Sequence, residues 1–180
     1  MNGEFFSKKE ASISVFDRGF LFSDSVYEVT AVLDGNLVDW KEHFARLIRS
    51  LDHLNLENTF QEEEFYQIQK KLINENQLKE GLCYVQVTRG VAERDFNFAK
   101  KSLLPTVVIF TQEKQILNNA ASKVGIKIIT VPDDRWRRRD IKTTQLLAQS
   151  LAKTHAVQEG VDDSLLAVSY THLTLPTRSY

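Results

Sequence analysis

This 180-residue chain is poor in the features that place a protein outside the reducing cytoplasm. Its single cysteine, Cys83, excludes an intrachain disulfide. No apolar run approaches the roughly 18 residues of a membrane-spanning helix, and the first ten residues lack the apolar stretch of a signal peptide. Lys and Arg total 23 against 24 Asp and Glu, so the net charge of -1 favours neither nucleic acid nor an anionic membrane. We therefore expect a cytoplasmic protein.

Several common catalytic motifs are also missing. The sequence contains no P-loop, no G-x-G-x-x-G fingerprint and no G-x-S-x-G elbow. None of its four histidines is paired at the spacing of metal ligands, so we expect no metal site. His43 and His53 are expected to be solvated side chains of a helix, and Cys83 a small buried residue of a strand.

The first part of the chain alternates strand and helix patterns. Residues 26–33 are rich in β-branched side chains, and Asp34-Gly35 after them predicts a hairpin turn. Two amphipathic helices should follow, one capped by Asp39 with Glu42 and one by Thr59 with Glu62. The segments LCYVQVTRG and TVVIFT are typical of strands.

The second part is shorter and begins at a polar stretch, NNAASKVG, that favours a domain boundary. We expect a first α/β domain at 1–117 and a second domain at 118–167. In the latter, IKIITV and SLLAV should be strands on either side of a helix from about Thr144 to Gly160. The buried stripe of that helix is predicted to contain Leu147, Leu151, Ala152 and Ala156. The fold class is therefore α/β or α+β.

Four arginines crowd into residues 135–139, just before Lys142. The cluster is compatible with a solvated loop, a nucleic-acid patch or one wall of an anion site. Neighbouring positive charge disfavours an ammonium group, and a neutral amine is the form that attacks a carbonyl. Lys142 is thus a candidate Schiff-base former, although an ordinary surface lysine also satisfies the pattern.

Four motifs, taken together and in order, resemble a known family. They are FDRGFLFSDSVYEV, EHFARL, YVQVTRGVAERDF and RWRRRDIKTTQLLAQSLAK. In this order they resemble the class IV aminotransferases, pyridoxal-phosphate enzymes of fold type IV, and within them the D-amino-acid (D-alanine) aminotransferases. The resemblance covers about residues 10 to 167 and implies two α/β domains, the cofactor pyridoxal 5'-phosphate and a homodimer.

The resemblance also implies roles for individual residues. Lys142 of the DIK motif should hold the cofactor as a Schiff base and act in catalysis, and Arg46 should bind the cofactor phosphate. Glu28 should lie at the cofactor, while Tyr27 and Arg94 should contact the substrate. The implied reaction transfers an amino group from an amino acid to a 2-oxo acid.

Two departures from the family pattern affect these expectations. Phe96 stands where the D-alanine enzymes often carry a histidine beside the carboxylate-binding arginine. Residues 168–180 contain no Glu, Asp or Gly, unlike the family. The sequence therefore predicts a non-family tail at 168–180, an incomplete second domain and a fragment with little activity of its own. Branched-chain aminotransferase, 4-amino-4-deoxychorismate lyase and a non-catalytic fragment are the alternative functions.

Overall fold

The computed structural model describes residues 1–57, 61–97 and 103–168, and these residues form two compact units. The first contains Met1–Asn119 and also Arg138–Gln145. The second contains Ala120–Arg137 and continues from Leu146. The segment around Lys142 thus belongs to the first unit. Apart from Val168, the predicted non-family tail lies outside the described residues.

The first unit is built on a four-stranded antiparallel sheet with two longer helices. Its elements are α1 (Arg18–Phe22), β1 (Ser25–Leu33), β2 (Asn36–Leu37), α2 (Trp40–His53), α3 (Glu62–Glu75), β3 (Glu80–Thr88) and β4 (Thr106–Glu113). The strands are ordered β2-β1-β3-β4. Asp34 and Gly35 both have positive φ, 49° and 72°, which confirms the predicted hairpin turn between β1 and β2.

The hydrophobic core of this unit lies between one face of the sheet and the helices α2 and α3. It is formed by strand residues Val26, Val85 and Val87 together with Leu47, Leu51 and Phe65 of the helices. Cys83 is fully buried in an adjoining cluster, as predicted, and burial raises the pKa of its thiol to about 12. Within the described residues no helix is long and apolar enough to cross a membrane.

The predicted helix caps are only partly correct. Asp39 does precede α2, but it has a left-handed backbone and its side chain makes no capping hydrogen bond. α3 begins at Glu62 with Gln61 in the cap position, again without a side-chain bond. Thr59, the predicted cap of α3, lies outside the described residues.

The Lys142 segment continues the first unit's sheet at the edge of β1. The Tyr27 N–H donates a 3.0 Å hydrogen bond to the Lys142 carbonyl, and Val26 forms an antiparallel bridge with Thr143. Ile141 is only 3% exposed and belongs to the same hydrophobic core as Val26. Backbone pairing and side-chain burial together fix the position of the lysine.

The second unit contains α4 (Ala121–Val124), β5 (Ile128–Pro132), α5 (Leu147–Gln158) and β6 (Asp163–Ala167), with β5 and β6 parallel. The predicted start of α5 at Thr144 is wrong, because the Thr144 hydroxyl lies 2.5 Å from the Ser25 hydroxyl in the first unit. Of the four residues predicted for the buried stripe of this helix, two are buried and two are exposed. Ala152 and Ala156 are buried, whereas Leu147 and Leu151 are 74% and 62% exposed, since they lie on a different face of the helix.

We predict that Ile141→Ala will lower the free energy of unfolding by about 2–5 kcal/mol, because it leaves a cavity in the core of the first unit. Urea denaturation followed by circular dichroism measures this change. Ile13→Ala is the control, because Ile13 is 44% exposed and its loss should cost less than about 0.5 kcal/mol. Equal unfolding midpoints for the two variants would contradict the burial of the Lys142 segment.

Candidate active site

Lys142 and Tyr27 face each other on the side of the sheet opposite the hydrophobic core. The Val26–Thr143 bridge places Lys142 opposite Tyr27 in the antiparallel register. The Lys142 Nζ atom lies 4.3 Å from the centre of the Tyr27 ring, a cation–π distance. No carboxylate in the described part of the chain pairs with this amine. Among the residues that the structure describes, the amine therefore lies beside the Tyr27 ring without an ionic partner.

Glu28 follows Tyr27 along β1 and so points to the other face of the sheet. Its carboxylate is 4% exposed and accepts hydrogen bonds from Arg46 Nε at 2.6 Å and Arg46 Nη2 at 2.7 Å. His43 Nδ1 lies 2.8 Å from the same carboxylate. A buried acid is thus compensated by a bidentate guanidinium and an imidazole, as a buried charge requires.

The Arg46 guanidinium retains donors for a second anion. Neither hydrogen bond to Glu28 uses Nη1, and the side chain is 40% exposed. The hydrogen bonds from Arg46 to Glu28 raise the pKa of Arg46, so its positive charge persists at all ordinary pH values. This arrangement suits an arginine that is fixed on one side and binds a phosphate or carboxylate on the other.

His43 belongs to this cluster, contrary to the expectation from the sequence. It was expected to be solvated, but its side chain is 23% exposed and pairs with Glu28. The sequence spacing could have indicated this contact, because His43 precedes Arg46 by three residues and both therefore lie on one face of α2. His53 is exposed, as expected, and its Nδ1 atom lies 2.9 Å from the Asp140 carboxylate.

Arg94 lies in a different set of contacts from the cluster around Lys142. Its guanidinium carbon lies 5.5 Å from the ring centres of both Phe22 and Phe96, a cation–π distance. Arg18 also covers the Phe22 ring, at 4.7 Å, and donates a 2.6 Å hydrogen bond to the carbonyl of Asp95. Arg94 is exposed, so its charge remains available to an anion in solution.

The arginines before Lys142 form local ion pairs. In the second unit Arg135 binds Asp133 at 2.8 Å, and in the first unit Arg138 binds Asp140 at 2.9 Å. Arg138, followed by His53, holds the pKa of the Asp140 carboxyl well below its usual range. Within the described ranges, no three His, Cys, Asp or Glu side chains are grouped as metal ligands.

Comparison with known proteins links this chain to one family over most of its length. The family model of amino-transferase class IV matches residues 25–174. A D-alanine aminotransferase of Staphylococcus aureus (strain MSSA476) is 39% identical over 165 residues, which are 92% of this chain and 58% of the relative. The chain therefore spans a little over half the length of that curated relative.

Solved structures share the fold at lower identity. The branched-chain amino acid aminotransferase of Escherichia coli has a TM-score of 0.81 at 18% identity, covering 93% of this chain and 58% of its own. A hypothetical aminotransferase from Mycobacterium tuberculosis, solved in a PLP-bound form, has a TM-score of 0.70 at 18% identity. This match covers 93% of this chain and 60% of that one. The mixed α/β fold expected from the sequence is thereby confirmed.

We predict that Glu28→Gln will lower the free energy of unfolding by about 1.5–3 kcal/mol, because it weakens charge-assisted hydrogen bonds at a buried position. Chemical denaturation of both proteins at neutral pH measures the difference. Glu42→Gln is the matched control, since Glu42 is exposed in the first turn of α2. A loss no larger than that of the control would show that Glu28 contributes nothing through Arg46 and His43.

Proposed function

The chain belongs to the class IV aminotransferases, and from this we infer that it serves pyridoxal-phosphate-dependent transfer of an amino group from an amino acid to a 2-oxo acid. The 39% identity to a D-alanine aminotransferase favours a D-amino acid as the donor. The observation that carries the proposal is the pairing of Lys142 with β1, which presents beside Tyr27 an amine that has no ionic partner among the described residues. The homodimer and the cytoplasmic location remain predictions.

The residues present are compatible with this cofactor. Pyridoxal phosphate carries an aldehyde and a phosphate, so it needs an amine for covalent attachment and a fixed cation for charge. Lys142 supplies the first and Arg46 the second, and a guanidinium can bind phosphate through two parallel hydrogen bonds. When bound, the cofactor supplies an electron-accepting ring that stabilises charge at the substrate α-carbon.

We propose that Glu28 acts on the cofactor indirectly. The family resemblance assigned it to cofactor binding, but its carboxylate is buried and binds Arg46 through both oxygens. Glu28 fixes the plane of the guanidinium, and His43 supports the same carboxylate. A preoriented arginine loses less side-chain entropy when it binds a phosphate, so Glu28 and His43 are positioning residues for Arg46.

Lys142 has a second task once a substrate amine has displaced it. Its Nζ atom can accept a proton from the substrate α-carbon and return it to another carbon, which is general acid–base catalysis. The neighbouring Tyr27 ring stabilises the ammonium that the amine becomes when it accepts that proton. Tyr27 is therefore proposed to act beside Lys142 as well as to contact the substrate.

Arg94 is the proposed site for the substrate carboxylate. Its exposed guanidinium lies 5.5 Å from the ring centres of Phe22 and Phe96, within cation–π distance of both, and it carries five hydrogen-bond donors. Phe96 supplies a ring contact here and no hydrogen bond to a carboxylate. We propose that recognition of the carboxylate by this chain depends on Arg94 without a histidine at position 96.

The central experiment asks which lysine takes the cofactor. The chain is incubated with pyridoxal phosphate, reduced with borohydride and digested, and the modified peptide is identified by mass spectrometry. We expect the pyridoxyl group on Lys142 and its loss from that peptide in Lys142→Ala. Lys153, which pairs with Asp163 in the second unit, is the internal control and should stay unmodified. Preferential modification of another lysine would overturn the proposal.

We further predict that Arg46→Ala will weaken pyridoxal phosphate binding about tenfold to a hundredfold, because a charge-assisted hydrogen bond contributes roughly 1.5–3 kcal/mol. Titration of the folded variant by absorbance measures the dissociation constant. Arg49→Ala is the control, since Arg49 is an exposed arginine of the same helix. Arg46→Lys retains a cation for Glu28 and separates lost affinity from lost stability. An unchanged affinity for pyridoxal phosphate in both Arg46 variants would show that Arg46 does not bind the cofactor.

A further inference from the structure

Three aromatic rings form a row across the sheet on the face that carries Lys142. Tyr84 of β3 stacks on Tyr27 of β1, with ring centres 5.7 Å apart and planes 22° apart. On its other side Tyr84 stacks on Phe110 of β4, at 4.7 Å and 22°. Tyr84 and Phe110 are direct partners in the antiparallel register. The central ring of this row is therefore Tyr84.

Tyr84 is held at both ends of its side chain. Its ring is packed between two others, and its hydroxyl donates a 2.9 Å hydrogen bond to Gln86 Oε1. Burial, with a smaller contribution from Tyr27, raises the pKa of the Tyr84 phenol, so it remains protonated and keeps this bond. The geometry of Tyr84 is thus set by the rings of Tyr27 and Phe110 and by the bond to Gln86, without Lys142.

Tyr27, in contrast, lies near the edge of the sheet. On one side its ring receives Lys142 Nζ at 4.3 Å, and on the other it packs against Tyr84. An aromatic side chain turns about two bonds, so the ring plane under Lys142 depends on the ring that it stacks against. Removing Tyr84 would leave Tyr27 free to rotate away from the amine.

We propose that Tyr84 is a positioning residue for Lys142, which acts by holding the Tyr27 ring against the lysine amine. The stack connects Tyr84 on β3 to Tyr27 on β1, the strand on which the Lys142 segment is paired. Its importance for the reaction rests on the proposed function of Lys142. The contacts of Tyr84, Tyr27 and Lys142 exist in the protein without cofactor, so their effect on the amine can be tested in the cofactor-free protein.

The test measures how fast Lys142 reacts with a trace of acetic anhydride in the cofactor-free 180-residue chain at one fixed pH. Peptide mapping gives the acetylation of Lys142 relative to Lys70, which binds the Gly35 carbonyl. Loss of the ring contact removes the cation–π attraction that holds the amine against the Tyr27 ring, so the amine reacts more readily with the reagent. We expect Tyr84→Leu to raise the ratio about two- to fivefold, the equivalent of an exposed cation–π contact.

Three further variants make the result specific. Tyr84→Phe keeps the stack and loses only the bond to Gln86, so it should retain the wild-type ratio. Tyr66→Leu removes a tyrosine that packs on Trp40 instead, and it should also leave the ratio unchanged. Phe110→Leu removes the outer ring of the row at a 45% exposed position, and should raise the ratio less than Tyr84→Leu does.

The outcomes separate this inference from the proposed function. An unchanged ratio in Tyr84→Leu and Phe110→Leu overturns the positioning role, even if borohydride labelling places the cofactor on Lys142. If Tyr66→Leu raises the acetylation ratio as much as Tyr84→Leu does, the positioning role is also overturned. The effect would then come from a general loosening of the fold. If Tyr84→Leu does not fold, Phe110→Leu decides the question alone. Failure of cofactor labelling, with the expected acetylation ratios, overturns only the proposed function.

Discussion

The arrangement of the candidate site depends on one backbone pairing, between the start of β1 and the segment around Lys142. The Tyr27 N–H binds the Lys142 carbonyl, and Ile141 is buried in the core of the first unit. This segment lies between two parts of the second unit in the chain, yet it folds with the first. The lysine is therefore positioned by a sheet edge and a hydrophobic core, which hold it more rigidly than a surface loop would.

The alternation of side chains along β1 divides the chemistry between two faces. Tyr27 points toward Lys142, while the next residue, Glu28, points toward α2 and binds Arg46 and His43. One face of β1 thus carries the contact of Tyr27 with Lys142, and the other carries the ion pair of Glu28 with Arg46. A shift of one residue in the β1 register would exchange these faces and abolish both sets of contacts.

Membership of the class IV aminotransferases agrees with this arrangement, and Arg94, the residue proposed to bind the substrate carboxylate, makes a separate set of contacts. Arg94 lies within cation–π distance of Phe22 and Phe96, outside the cluster around Lys142. A site of this kind can change its carboxylate recognition without altering the lysine and its supports. The high identity to a D-alanine aminotransferase and the phenylalanine at position 96 can therefore coexist.

Short-range patterns in the amino-acid sequence were sufficient to predict the local elements and the family. The Asp34-Gly35 turn, the strand of Cys83 and the amphipathic α2 follow from such patterns, and four ordered motifs identified the class IV aminotransferases. Features that depend on distant partners became visible only in the folded chain. There the expected helix does not begin at Thr144 and His43 meets Glu28, because cross-strand pairing and burial of a carboxylate act between residues far apart in the chain.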